Sequence, residues 1–192
     1  MGRKQGIAPY IEEEDMQRVI AACDGPNQAR NRAILLVSYN LGLRAKELAS
    51  LTIGDMLDAD GRLNETIRLL KHMTKGAKFR EVFLVHDATR QTLEDYLSHR
   101  GRRGGDRPLF LSQKGQPFSA NSMQRLMGQL YHNAHILGSS HSGRRSFATR
   151  LIERGADIYA IKELMGHESI TTTQAYFFAS PERLKKISKL LG

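Results

Sequence analysis

One stretch departs from a pattern that is otherwise helical, and it limits the fold more than any other feature. Residues 66–85 read TIRLLKHM, then TKGAK, then FREVFLV: two strand-like runs around a glycine-containing turn. This predicts a β-hairpin with Lys75, Gly76, Ala77 and Lys78 at its tip. On either side of it the spacing is that of helices. EEEDMQRVIAAC, residues 12–23, starts with acids suited to the positive end of a helix dipole and sets Met16, Val19, Ile20 and Cys23 at helical intervals. Residues 27–40 carry Ile34, Leu35 and Val37 toward Leu41, and Gly42 stands as the C-cap. A short helix over 45–51 follows at once.

Beyond the hairpin, Asp87 is placed to cap a helix bearing Leu93, Tyr96 and Leu97, and the loop GRRGGDRP leads to LFLS, read as a short strand. Ser119 caps a helix in which Met123, Leu126, Met127, Leu130 and Tyr131 recur at one-face spacing. Three more helices are expected, over 142–154 closed by Gly155, over 158–165 closed by Gly166, and over 181–191. The fold class is mainly α (α+β), with a small antiparallel sheet. At 192 residues the chain holds one good core rather than two full-sized domains.

Composition narrows the function. The sequence contains no apolar run of the roughly 18 residues a membrane span needs, and no apolar segment or cleavage site follows the basic start MGRKQG. A single cysteine, Cys23, excludes an internal disulfide framework and a cysteine-based zinc site, and points to a reducing, cytoplasmic compartment. Lysine and arginine total 29 against 20 acidic residues, a net charge of +9, so an anionic partner is expected. The basic residues are spread along the chain, which favours nucleic acid over a membrane surface.

Several residues have chemistry to offer. In HSGRR, His141 and Arg144 lie three apart at a helix start, on one face, where both reach one small ligand. The spacing is not that of an HExxH zinc pair and an adjacent arginine repels a cation, so an oxyanion such as phosphate fits better than a metal. A plain surface His and Arg at a helix start is the alternative. Arg44, at the sharp step after Gly42 and Leu43, can grip two phosphate oxygens with its planar fork, or form a salt bridge to Glu47 three residues on. Glu47 reads as an orienting or structural partner. Lys75 at the hairpin tip can follow a nucleic-acid strand and give a proton to a leaving oxygen, or simply be solvated, with Lys78 as its rival. His167 follows a helix-ending glycine, equally compatible with an ordinary core histidine. A tyrosine hydroxyl is a weak nucleophile on its own, so Tyr176 needs a cationic pocket to become one.

Their order along the chain is more informative than any one of them. GLRAKEL, a lysine in a hairpin tip, HSGRRSFATRLIERGADIYAIKELMGH and SITTTQAY together resemble the catalytic domain of the tyrosine recombinases, the phage integrase and Xer-type family. The resemblance runs from about Ile11 to Leu190, and its motif combination, ending in a tyrosine nine residues beyond the GH histidine, is highly specific. It implies the multi-helix catalytic domain of that family with its small antiparallel hairpin. It also implies catalytic roles for Arg44, Lys75, His141, Arg144, His167 and Tyr176: site-specific recombination through a 3′-phosphotyrosyl intermediate, with no cofactor and no metal. A type IB topoisomerase-like DNA relaxation activity and a non-catalytic DNA-binding regulator are the alternatives.

Some positions depart from the family. Gly143 stands where a hydrophobic residue is common and Arg145 where a histidine is, and Leu41 replaces a small or hydroxylated residue; no catalytic group is removed. Residues 1–10 are expected to be a tail and 11–192 the catalytic domain, without the N-terminal core-binding domain that most members carry. That would make the chain an excised fragment or one of the short single-domain relatives, such as the fimbrial phase-variation invertases. The partners implied are double-stranded DNA and three further copies, a homotetramer on DNA that exchanges C-terminal helices through Leu184, Ile187, Leu190 and Leu191, the free protein being a monomer.

Overall fold

The structure, a computed structural model, describes residues 8–74, 79–174, 176 and 188. In chain order these form α1 (Glu13–Ala21), α2 (Gln28–Leu41), α3 (Ala45–Ser50), α4 (Ile53–Met56), β1 (Thr66–Leu69), β2 (Arg80–Phe83), α5 (Asp87–Arg100), α6 (Ala120–Asn133), α7 (Ser142–Glu153), α8 (Ile158–Met165) and α9 (Ile170–Gln174). The mainly helical class with a two-stranded antiparallel sheet is as expected.

Helix α2 organises the molecule. It buries residues on every side, and a helix apolar all round has to be central. Ile34, Val37 and Leu41 enter the main core with the sheet, α3, α4, α5 and α6. Leu35 and Tyr39 join a second cluster with Ile11, Met16 and Val19 near α1 and with Leu130 and Tyr131 of α6. A third, small cluster of Ala148, Ile152, Ile161 and Met165 holds α7 against α8, with Phe147 and Tyr176 packed on it. Helix α2 touches α5 and α7, and its C-terminal end meets the start of α7 at a close crossing. There Gly143 is required for packing: a Cβ would stand 2.7 Å from Ser38 Oγ and 3.2 Å from Ser38 backbone carbon. The departure at 143 thus lets α7 seat directly on α2, while Arg145 donates to the carbonyl of Ala8 and ties the N-terminal segment down.

In the hairpin, Thr66 pairs with Phe83, Ile67 with Val82, Arg68 with Glu81 and Leu69 with Arg80. Side chains alternate across a strand, so Ile67, Leu69, Val82 and Arg80 share the buried face. An arginine on that face needs an internal partner.

Several expectations are corrected. The first strand ends at Leu69 rather than running through Met73; the chain turns, with Met73 N–H donating to Leu70 O, and Met73 becomes buried. LFLS is not a strand. Leu109 and Phe110 are core residues, and the segment makes only single bridges, Pro108 with Thr52 and Leu111 with Pro117, each of which contains a proline that cannot donate to a ladder. Asp87 does not cap α5: the N-cap is His86, and Asp87 sits in the first turn, where it acts on the helix dipole instead. Ser119 does cap α6, its hydroxyl accepting from Ser122 N–H. Two short helices were not anticipated. Helix α4 is opened by a box in which Thr52 accepts from Asp55 N–H and Asp55 accepts from Thr52 N–H. Helix α9, residues 170–174, takes in the threonine run. The hairpin tip and the helix expected over 181–191 lie outside the described residues, Ser188 apart.

Candidate active site

Two left-handed glycines build the site. Gly42, at φ 66°, ends α2 and turns the chain so that Arg44 heads α3; its Cα faces Phe147, which a Cβ would approach to 2.5 Å. Gly166, at φ 59°, ends α8. The carbonyls at this end of α8 carry the negative pole of the helix, and three arginines converge on them. Arg80 donates to Leu164 O, Arg144 to Met165 O, and Arg44 to Gly166 O at 3.4 Å. Arg144 also donates to Gly42 O at 2.6 Å, stitching the end of α2 to the end of α8.

Glu47, fully buried, is the one carboxylate bonded to this cluster among the described residues. Its Oε1 accepts from Arg44 Nη1 at 2.9 Å, and its Oε2 accepts from Arg44 N–H and from Arg80 Nη2, both at 2.7 Å. Burial pushes the Glu47 carboxyl up, but Arg80, Arg144 and Arg44 together outweigh it and hold the group below the ordinary carboxylate range. Glu47 is therefore ionised and orients Arg44, so the salt bridge and the phosphate-gripping reading of Arg44 are compatible: one Nη edge is held while 21% of the side chain stays exposed.

Arg144 is different, because both its recorded acceptors are carbonyls. Burial, then the charges of Arg44 and Arg80, push its pKa down to about 9, with Glu47 and Tyr176 opposing. It remains a cation at neutral pH, held in a site where positive charge exceeds negative. An anion is the ligand such a site lacks.

The two histidines respond to the same field. His141, exposed at the N-cap of α7, is lowered by partial desolvation and by Arg144 and Arg44. His167 is buried, and burial, Arg144, Arg44, Arg80 and Lys162 push it down to about 4, so its imidazole is neutral at pH 7. Its Nδ1 lies 2.8 Å from Thr173 Oγ1, and its ring stacks on Tyr176 with centroids 6.1 Å apart and planes at 15°. Tyr176 is half-buried, with its N–H donating to Thr173 O at 3.0 Å. The phenol is near enough to Arg144 to be felt there.

Arg44, His141, Arg144, His167 and Tyr176 are thus brought together about the C-terminal end of α8. Lys75 lies outside the described residues; the chain leading to it is held at Thr74, whose carbonyl accepts from Lys46 of α3 at 3.3 Å. Sequence reasoning missed Arg80, which shares Glu47 with Arg44. The signal was its place on the inward face of FREVFLV, which can be read only once the register is known. Among the described residues, no group of three or more His, Cys, Asp or Glu is arranged to hold a metal, and no helix is long and apolar enough to cross a membrane.

A chain that gathers arginines, histidines and a tyrosine from distant segments around one helix end can be placed by comparison. The sequence matches the phage integrase family over residues 9–183, and the chain belongs to that family. It is 37% identical over 182 residues to the tyrosine recombinase XerC of Pelobacter propionicus, covering 90% of this chain and 57% of the relative. It is 30% identical to the tyrosine recombinase XerD of Halalkalibacterium halodurans, covering 91% and 58%. Among solved structures, the XerA recombinase superposes with a TM-score of 0.76 at 27% identity, over 96% of this chain and 65% of that one. The XerH recombinase, captured on its palindromic difH substrate after cleavage, shares the fold at 23% identity and a TM-score of 0.73, over 100% of this chain and 55% of that one. The chain spans 57%, 62% and 61% of the length of three of the curated XerC relatives it matches.

Proposed function

We propose that the protein is a site-specific DNA recombinase that cleaves and rejoins DNA through a 3′-phosphotyrosyl intermediate, with residues 11–192 as its catalytic domain. The observation that carries this reading is the stacking of Tyr176 on a neutral His167 beside Arg44 and Arg144, in a site with surplus positive charge. Tyr176 Oη attacks the scissile phosphorus, the bond to the 5′-oxygen breaks, and the phosphate is left joined to the tyrosine and to the 3′-oxygen. Arg44 and Arg144 meet the non-bridging oxygens, where negative charge grows in the transition state. His141 and His167, neutral before DNA arrives, supply hydrogen bonds, and of the two it is His141 that takes the phenol proton. Lys75 protonates the departing 5′-oxygen. The ester bond is conserved, so a 5′-hydroxyl from a partner strand reverses the step and joins the new strand.

The partner is double-stranded DNA; the Tn1549 transposon integrase, a structure of like fold, was solved in complex with transposon right end DNA. Exchange between two duplexes calls for four copies, linked by donation of the C-terminal segment that carries Leu184, Ile187, Leu190 and Leu191, with the free protein monomeric.

Duplexes carrying candidate sites, nicked beside the scissile phosphate so that the short fragment bearing the freed 5′-hydroxyl diffuses away, trap the intermediate. The wild-type chain is expected to give a protein–DNA adduct that survives denaturing electrophoresis, and Tyr176→Phe to give none. No adduct from the wild type on any candidate site, or equal adduct from Tyr176→Phe, would defeat the proposal. Transfer of the trapped strand to a second duplex separates recombination from simple relaxation.

A further inference from the structure

Thr173 serves two groups at once. It is fully buried in α9; its hydroxyl lies 2.8 Å from His167 Nδ1, and its carbonyl accepts the backbone N–H of Tyr176 at 3.0 Å. A neutral imidazole carries one ring proton, and which nitrogen holds it is set by the partner of the other. With Nδ1 taken by Thr173, Nε2 is the nitrogen left to meet a ligand. If Nδ1 held the proton, Nε2 would present a lone pair to a phosphate oxygen, which repels it. If the Thr173 hydroxyl donates to Nδ1, Nε2 becomes a donor.

We propose that Thr173 is a positioning residue: its O–H donates to His167 Nδ1, fixes the Nε2–H tautomer, and thereby makes His167 a hydrogen-bond donor to the scissile phosphate. The idea rests on the recombinase reading for its phosphate but not for its tautomer. Because the same residue anchors the main chain of Tyr176, the orientation of the imidazole and the position of the nucleophile are coupled through one side chain and one carbonyl. A movement of the tyrosine segment that carried Thr173 with it would also release His167. Burial, with the three arginines nearby, keeps the ring neutral, which is the condition under which a tautomer can be selected at all.

Long-range proton–nitrogen NMR spectra of the 15N-labelled chain at pH 7, without DNA, report which ring nitrogen of His167 is protonated. Nε2–H is expected in the wild type, and a mixture of tautomers in Thr173→Val, which keeps the shape and removes the hydroxyl. On the nicked duplex Thr173→Val should form adduct about tenfold more slowly in a single turnover, at unchanged DNA affinity, and Thr173→Ser should recover most of the rate. A wild-type proton on Nδ1 overturns the proposal. So does a Val variant with wild-type rate and tautomer, or a folded Ser variant as slow as Val. Should Val fail to fold, the wild-type spectrum and the Ser variant decide. If the wild type forms no adduct, the recombinase reading fails while the tautomer result stands.

Discussion

A histidine that is buried among guanidiniums has its charge decided before any substrate arrives. His167 binds a proton only near pH 4 in the folded chain, against an ordinary value of 6.5, because burial and the charges of Arg144, Arg44 and Arg80 all oppose the imidazolium. The unfolded chain takes up that proton between pH 6.5 and 4 while the folded chain does not. Unfolding is therefore favoured as pH falls through this window, and stability rises with pH up to about 6.5 and then levels. Each unit is worth roughly 1.4 kcal/mol, so the loss across the window is on the order of 3 kcal/mol. Urea midpoints measured from pH 7.5 to 4.5 should fall accordingly, and His167→Gln should flatten most of the fall. The remainder is expected from His141, which is lowered in the same direction. A Gln variant with the full wild-type slope would mean that His167 does not carry the effect.

At the scale of elements, the end of α8 depends on Gly166 twice over. The residue is left-handed, and a Cβ there would lie 2.6 Å from Arg80 Cδ, in a side chain already fixed by Glu47 and Leu164 O. Gly155 is also left-handed, at φ 88°, but nothing lies within 4 Å of where its Cβ would stand. Comparing Gly166→Ala with Gly155→Ala separates the two costs. Both should lose about 1–2 kcal/mol from backbone strain, measured by urea unfolding. Gly166→Ala should lose roughly 1 kcal/mol more and should also slow DNA cleavage, because Arg80 and its shared partner Glu47 must shift. Equal losses in the two variants would show that Arg80 yields freely.

The helices and these glycine stops were legible because periodicity and C-capping are local: Gly42, Gly155 and Gly166 all close helices where the spacing put the ends. Arg44, His141, Arg144, His167 and Tyr176 were legible through their order along the chain. Arg80 was not, since the face a strand residue takes depends on a register set by tertiary packing. LFLS failed for a related reason. An apolar run of three says that a segment is buried without saying how it is paired, and the prolines in both of its bridges ended the ladder. Thr173 carried no signal in the sequence, because its hydroxyl acts on a ring six residues earlier in the chain.

Across the whole molecule, the site joins the α2–α3 step, β2, the start of α7, the end of α8 and Tyr176, so it exists only when the main cluster and the small α7–α8 cluster are both assembled. Global stability should then respond to anything that occupies the site. Among the described residues three arginines meet one bonded carboxylate there, and an oxyanion that bridges Arg44 and Arg144 would bind the folded chain and have no comparable site in the unfolded one. Inorganic phosphate at about 100 times its dissociation constant would add roughly 2.7 kcal/mol, which for a chain of this size raises the melting temperature by about 5–10 °C. General salt effects are removed by comparison with sodium chloride at matched ionic strength, since exposed charges are screened equally by both. Arg44→Gln is the informative variant: Arg44 is partly exposed, and Arg80 remains to hold Glu47, so the fold should survive. It should lose at least half of the phosphate-specific rise. If phosphate and chloride shift the wild type alike, or if Arg44→Gln keeps the whole rise, the excess charge at the end of α8 is not an anion site. The neutral histidines beside it would then need another explanation.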